Sequence, residues 1–189
     1  MPIPPLSTSA ADELALISRA FAPQLLEGDL YSLLAYLNGC ETHRFTGVYR
    51  FEPQWVVSVS LFDREAPATR VGDSVKMMES YCWLTGLGAS YVIEDASVDS
   101  RLHGHAARDA VRSYLAVVLR DKRGTPWGTL CHYDFEPRTA SEIALARLER
   151  FRPLIQEMFV RDTAACWTEE QPAGRRTAMP GQSSPTSVS

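Results

Sequence analysis

Residues 79–138 read ESYCWLTGLGASYVIEDASVDSRLHGHAARDAVRSYLAVVLRDKRGTPWGTLCHYDFEPR and decide the fold of this 189-residue chain. Five short motifs follow one another in it: Ser80-Tyr81-Cys82, a turn with Asp95, Asp99 and Arg101, the run from Arg112 through Tyr114 to Leu119, the turn Arg123-Gly124, and GTLCHYDFEPR at 128–138. The apolar run 113–120, the glycine turn and the returning run 127–133 predict a β-hairpin. Five motifs in order are far more specific than any one alone.

The order of these motifs resembles the second half of a GAF domain, a small α/β sensory module. Members of that family commonly carry S-[FY]-C, then D-x-x-x-D-x-R, then a glycine hairpin and G-T-L-C-x-x-D-x-x-P-R, as this chain does. The resemblance implies an α/β (α+β) fold with a central antiparallel sheet. N- and C-terminal helices would cover one face, and a crossing helix and loop segment the other.

The first half of the chain adds helices and a hairpin. Apolar residues at helical spacing predict one helix over 12–21 and a second that Asp29 caps and Gly39 ends in a left-handed conformation. Alternation over 44–51 and a β-rich run over 55–62 predict an antiparallel hairpin. Asp73 or Ser74 then caps a crossing helix, with Val75, Met78 and Cys82 turned inward.

The last helix begins in the capping box Thr139-Ala140-Ser141-Glu142. An apolar stripe follows at spacings of four and three: Ala144, Leu148, Phe151, Ile155 and Met158. Pro153 is expected to kink the helix. As terminal helices often do in the family, this stripe is expected to pair with a second copy in a homodimer.

Length and composition predict one domain with tails, since 189 residues suit one core and are too few for two typical domains. Proline and serine at 1–9, and proline, glycine, serine and threonine at 163–189, predict a disordered lead-in and tail around a single domain at 10–162. The stand-alone domain would signal through a protein partner or through self-association.

The charge and the cysteine content limit which partners and which cellular compartment the sequence predicts. A formal net charge of -4 with no basic cluster argues against nucleic acid as a partner. No apolar run is long enough to cross a membrane. The four cysteines, Cys40, Cys82, Cys131 and Cys166, show no C-x-x-C spacing, and no signal peptide precedes them, so a cytoplasmic protein with reduced thiols is expected.

The resemblance places a small-molecule site between the sheet and the segment 74–110, called here the crossing segment. The expected walls are Tyr49, Phe51 and Ser58 from the first hairpin and Tyr114, Leu130 and His132 from the second. Tyr81 and Cys82 would face the site from the crossing helix. The alternative is that these aromatic side chains are ordinary core, because alternate strand positions must bury something in any fold.

Asp95, Asp99 and Arg101 would stand at the mouth of that site. Arg101 can receive a carboxylate or phosphate group of a ligand through its two-pronged guanidinium. The favoured alternative is structural, with the aspartates capping their own turn and Arg101 tied to one of them. His103-Gly104-His105 is a weak metal signal without a further histidine motif, so no metal is predicted, and no cofactor can be named.

Cys82 and Cys131 allow a rival hypothesis, a thiol-redox enzyme of the free methionine sulfoxide reductase type. That subfamily places its cysteine in the loop that corresponds to 93–110, which has none here, so small apolar filler is the favoured role. The cysteine of bilin-binding members and the signature of cyclic-nucleotide-binding members are likewise missing. The sequence therefore favours a small-molecule-sensing module over an enzyme or a ligand-free protein-interaction domain.

Overall fold

The protein is described by a computed structural model over residues 29–166. The predicted lead-in at 1–9, the predicted helix at 12–21 and residues 167–189 lie outside the described residues. Within 29–166, every helix is too short or too polar to cross a lipid bilayer.

Six strands form one antiparallel sheet in the order β3-β2-β1-β6-β5-β4. The strands are β1 Phe45–Phe51, β2 Trp55–Asp63, β3 Val75–Lys76, β4 Ser90–Ile93, β5 Ser113–Arg120 and β6 Pro126–Asp134. Both predicted hairpins are confirmed, and their first and last strands, β1 and β6, pair at the centre. The strands approach so closely there that a Cβ on Gly128 would lie 2.2 Å from the Tyr49 carbonyl oxygen, so only glycine fits.

The alternation of strand side chains gives the sheet two covered faces. Leu115, Val117 and Leu119 of β5 face the terminal helices and join their apolar core. Tyr114 and Ala116 face the opposite side, toward the crossing segment.

Helix α1, Leu30–Gly39, packs on β1 and β2. Its predicted cap is confirmed, because Asp29 Oδ1 accepts from the Ser32 backbone N–H at 3.2 Å. The predicted end is wrong: Gly39 is an ordinary helical residue with Cys40 in right-handed conformation after it. Among residues 29–166 only Gly104 and Gly124 have positive φ.

Crossing helix α2 is Tyr81–Gly86, later and shorter than predicted. Its cap is Ser80, whose Oγ accepts from the Cys82 backbone N–H at 3.1 Å, and not Asp73 or Ser74. Val75 pairs with Val56 as part of edge strand β3, and a 3-10 turn, Met77–Glu79, follows. Hydrogen bonds to β2 thus replace the predicted first helical turn, and Met78 is 67% exposed instead of inward.

Helix α3, Glu142–Cys166, continues through Pro153 and includes the first four residues of the predicted tail. Ser141 Oγ accepts from the Ala144 backbone N–H at 3.0 Å, so Ser141 rather than Thr139 caps it. Leu148, Phe151 and Ile155 are buried in the core that α1 and α3 form with the sheet. The domain's own sheet thus covers this stripe, and the homodimer through the terminal helices stays a prediction.

Candidate functional site

The two faces of the sheet differ in chemistry. The apolar core on the helix side is built from leucine, valine, alanine, isoleucine and phenylalanine, and His43, Thr46 and His132 are buried beside it. The side beneath the crossing segment instead holds a group that we call the tyrosine/cysteine cluster: Tyr49, Tyr81, Tyr114, Tyr133, Cys82 and Cys131. A core that needed only apolar volume would not require this many hydroxyl and thiol groups.

Two tyrosine hydroxyls meet at the β1–β6 pairing. Tyr49 Oη and Tyr133 Oη lie 3.0 Å apart, with the rings edge-on at 6.4 Å between centroids. Burial raises the pKa of both tyrosines above the ordinary value of 10.0, so both are neutral hydroxyls. Ser58 lies beside them, and its Oγ accepts from the Gly72 backbone N–H at 2.9 Å.

The two thiols of the cluster lie on adjoining elements, Cys82 in α2 and Cys131 in β6. Cys82 Sγ accepts from Thr129 Oγ1 at 3.2 Å and from Tyr114 Oη at 3.4 Å, and Thr129 lies two residues before Cys131 on the same face of β6. The Cys131 thiol donates to the Gly47 carbonyl at 3.7 Å. Hydrogen bonds from neighbouring side chains lower the pKa of Cys82 against the opposing effect of burial. Burial raises the pKa of Cys131. Cys82 is therefore the thiol of the pair that ionises first.

The D-x-x-x-D-x-R turn satisfies its own charges. Arg101 donates to both oxygens of Asp99, the shorter bond being 2.5 Å, and to the Val92 carbonyl at 2.7 Å. Arg112 Nη2 donates to Asp95 Oδ1 at 2.9 Å. The bond from Arg101 lowers the pKa of Asp99. The turn thus has the local pairing of the structural alternative and is tied to β4.

His132 and Leu130 lie on the wrong face for the predicted wall. His132 is fully buried on the helix side, where Thr46 Oγ1 lies 2.7 Å from its Nδ1 and the His43 ring stacks at 5.8 Å. Tyr114 pairs across with Tyr133, so the wall contributed by β6 consists of Thr129, Cys131 and Tyr133 instead. Strict alternation along 128–134 was the signal that could have shown this.

The other predicted residues separate into two groups. Tyr49, Tyr81, Cys82 and Tyr114 come together in the tyrosine/cysteine cluster, with Phe51 packed against it and Ser58 beside it. Asp95, Asp99 and Arg101 lie in the exposed turn. Among the described residues, no three His, Cys, Asp or Glu side chains form a group that could hold a metal ion.

His105 is a site residue that the sequence signalled only as part of a weak metal motif. Its ring lies 4.8 Å from that of Tyr81, and its Nδ1 accepts from the Ala107 backbone N–H at 3.1 Å. Burial lowers the pKa of His105, so the ring is neutral and the proton sits on Nε2. Nε2 is buried, and no described residue accepts from it. A buried donor next to the cluster is thus left without an acceptor.

Comparisons with known proteins agree with this architecture. No family model matches the chain, and no curated protein sequence matches it either. The GAF domain of an Acinetobacter phosphoenolpyruvate-protein phosphotransferase superposes with a TM-score of 0.62 at 16% identity, covering 85% of this chain and 99% of that one.

Two further solved structures share the architecture and hold small molecules. Free methionine-R-sulfoxide reductase from Neisseria meningitidis, in complex with its substrate, has a TM-score of 0.59 at 19% identity and covers 86% of this chain and 99% of its own. The phycocyanobilin-bound GAF domain of a cyanobacterial phytochrome has a TM-score of 0.58 at 16% identity, covering 87% and 100%. The chain therefore has the fold of a GAF domain.

Proposed function

We propose that this protein is a regulatory module that binds a small molecule between the sheet and the crossing segment. The observation that carries the proposal is the polar interior of that face, with the unsatisfied Nε2–H of His105 beside Tyr81. A buried donor without an acceptor costs about 1–3 kcal/mol, which a ligand acceptor would remove. The sulfoxide reductase with its substrate and the bilin-bound GAF domain support the idea by analogy of fold alone.

The site favours a particular ligand chemistry. Tyr49, Tyr81 and Tyr114 offer ring faces and edges, and their hydroxyls remain neutral at physiological pH. His105 offers a single neutral donor and no positive charge. A compact molecule with an aromatic or apolar body and a carbonyl or carboxylate oxygen meets both requirements.

Regulation would follow from the position of the cover. The crossing segment carries α2 over β5 and β6, so a ligand that prefers the closed cover shifts the population toward it. The change would reach a cytoplasmic partner protein or a second copy of the chain. A homodimer through the terminal helices would have to use surfaces other than the buried stripe of α3, such as that around Ile143, which is 66% exposed.

A thermal-shift screen of small aromatic and carboxylated metabolites tests the proposal on the wild type and on two variants, His105→Leu and His103→Leu. A true ligand at a hundred times its Kd raises stability by about 2.7 kcal/mol, or about 5–10 °C in Tm for a chain of this size. His105→Leu should lose at least about ten-fold in affinity while its apo Tm changes little, because removal of the unpaired Nε2–H offsets the loss of the acceptor for the Ala107 backbone N–H.

His103→Leu is the control, since His103 lies on the same loop but is exposed. It should keep every hit of the wild type. A screen in which no compound stabilises the wild type, or in which His105→Leu binds all hits unchanged, would contradict the proposed site.

The second candidate is a thiol-redox enzyme, favoured by the presence of Cys82 and Cys131 in one buried cluster, with Thr129 of β6 donating to Cys82 Sγ at 3.2 Å. It predicts multiple turnovers of free methionine-R-sulfoxide with dithiothreitol as the reductant, lost in Cys82→Ser. Binding of the sulfoxide without turnover would leave the regulatory module as the function.

A further inference from the structure

Cys82 and Cys131 join two parts of the fold that are otherwise held only by noncovalent contacts. Cys82 lies in the first turn of α2, on the crossing segment, and Cys131 lies in β6 at the centre of the sheet. Both side chains are almost completely buried in the tyrosine/cysteine cluster, and Thr129, which lies two residues before Cys131 in β6, donates to Cys82 Sγ at 3.2 Å. A bond between them would fasten the cover to the sheet.

The surroundings of Cys82 differ from those of an inert core thiol. Thr129 and Tyr114 place hydroxyls at 3.2 and 3.4 Å from Sγ. Donors directed at a sulfur stabilise the thiolate, which is the nucleophilic form. The Cys131 thiol instead donates to the Gly47 carbonyl at 3.7 Å, which favours its protonated form, and it lies two residues after Thr129 on the same face of β6, next to Cys82.

We propose that Cys82 and Cys131 form a reversible disulfide in response to a hydroperoxide, locking the crossing segment on β6. The Cys82 thiolate attacks the peroxide O–O bond, giving the sulfenic acid and, after proton uptake, releasing water or an alcohol. The Cys131 sulfur then attacks the sulfenic sulfur, loses its proton, and expels hydroxide as water. Two thiols are oxidised to one disulfide while one peroxide is reduced, and a cellular thiol reverses the change.

Access to the pair requires only a local opening of the cover. Helix α2 has 6 residues. Met78 shortly before it and Leu87 directly after it are 67% and 68% exposed. Tyr81, Cys82 and Thr85 of α2 are buried, so the helix must lift from the sheet to expose Cys82, and such a local opening costs less free energy than global unfolding. A hydroperoxide as small as hydrogen peroxide can then reach Cys82, whereas protein thiols cannot.

The test uses the full chain with Cys40→Ser and Cys166→Ser, which removes the cysteines outside the pair. After one equivalent of hydrogen peroxide and alkylation in denaturant, mass spectrometry of the digest should show the Cys82 and Cys131 peptides linked with the loss of two hydrogen atoms. Tm should rise by several degrees and return with dithiothreitol, because the link closes a long loop. Peptides that stay unlinked, or oxidation that stops at the sulfinic acid of Cys82, would overturn the proposal.

Thr129→Val separates thiolate activation from simple access. The variant keeps the shape of threonine and removes the hydroxyl donor, so oxidation near pH 6 should slow by about three- to ten-fold. Near pH 9, where the thiol ionises without help, the rate should stay within about two-fold of the parent. Equal slowing at both pH values would contradict the role of the donor.

Thr125→Val in the neighbouring turn is the control and should change neither rate. The disulfide does not depend on the ligand. Failure to crosslink while His105-dependent binding persists would remove this inference and leave the proposed function intact.

Discussion

Arg101 shows how one side chain can look like a ligand residue in the sequence and act as a brace in the fold. Its guanidinium reaches both oxygens of Asp99 and the Val92 carbonyl, while its charged end packs 5.0 Å from the ring centroid of Tyr91. A planar group with several donors makes all of these contacts at once, which an ammonium cannot. The motif D-x-x-x-D-x-R therefore supports β4 from outside.

Arg101→Lys should accordingly lower the free energy of unfolding by about 0.5–1.5 kcal/mol, because the fork to Asp99 and the bond to Val92 are lost together from an exposed turn. Urea denaturation measures the change, with Arg123→Lys in the exposed hairpin turn as the neutral control. Affinity for any hit of the thermal-shift screen should stay the same. A variant of unchanged stability but weakened binding would return Arg101 to the site.

The helices and strands show which structural features a local sequence pattern can predict and which it cannot. Both hairpins were predictable because alternation and a glycine turn are properties of neighbouring residues. The start of α2 was not, since Val75 and Lys76 pair with β2 and that partner lies outside the local sequence. The same holds for His132, whose face is set by the register of β6 against β5.

The apolar stripe of α3 was recognised, but its partner was not. A period of three and four identifies an apolar face without saying whether a second helix or a sheet covers it. Here β5 and α1 cover it, and Phe151 also packs 5.9 Å from the ring of Tyr36.

Phe151→Glu should therefore unfold the domain and not merely dissociate a dimer. Phe151 is 1% exposed, so the change loses about 3–5 kcal/mol of packing and also buries a carboxylate. Ile143→Glu, at the exposed second residue of the same helix, should change stability by less than about 0.5 kcal/mol. Circular dichroism with sedimentation velocity distinguishes the outcomes. A folded monomeric Phe151→Glu would show that the stripe is an intermolecular surface.

At the scale of the whole molecule, two histidines buried on the helix side connect folding to pH. Neither ring nitrogen of His43, nor Nε2 of His132, has an acceptor or donor among the described residues. Burial lowers the pKa of His43 to about 4 and that of His132 to about 3. Asp134 opposes the shift of His43, while Arg138 and Arg64 add to it, and His43, Arg147 and Arg64 add to that of His132.

The sign of the pH dependence follows from those values. Below the ordinary pKa of 6.5, both histidines bind protons in the unfolded chain but stay neutral in the folded chain. The free energy of unfolding therefore decreases as the pH falls from 6.5 toward 4. These two sites give a slope of up to about 2.7 kcal/mol per pH unit. His105, whose pKa burial also lowers, adds to that slope in the same direction. Glu41, whose pKa burial raises, acts in the opposite direction near the lower end. Asp63, Asp95 and Asp99 have lowered pKa values and matter only below about 4.

His43→Phe should reduce that slope by about 1.4 kcal/mol per pH unit, because the variant lacks one group that binds a proton only in the unfolded chain. The phenylalanine ring keeps the stack on His132. Urea titrations at intervals between pH 5 and 7 measure it, and His103→Leu should leave the slope unchanged. An unaltered slope in His43→Phe would show that other groups cause the acid sensitivity.

The two-faced sheet also restricts how this chain can change its length. Leu115 and Tyr114 are neighbours in the chain but lie on opposite faces of the sheet. A single residue inserted or deleted within β5 would therefore turn every following side chain of the strand to the other face. A one-residue insertion in the middle of β1, β5 or β6, away from the register shifts that the sheet already contains, should accordingly destabilise the fold. Insertions at the Asp121–Gly124 turn add residues outside the ladder and leave both sides in place. Variants of this fold, natural or designed, should therefore differ by substitutions within the strands and by changes of length in the turns between them.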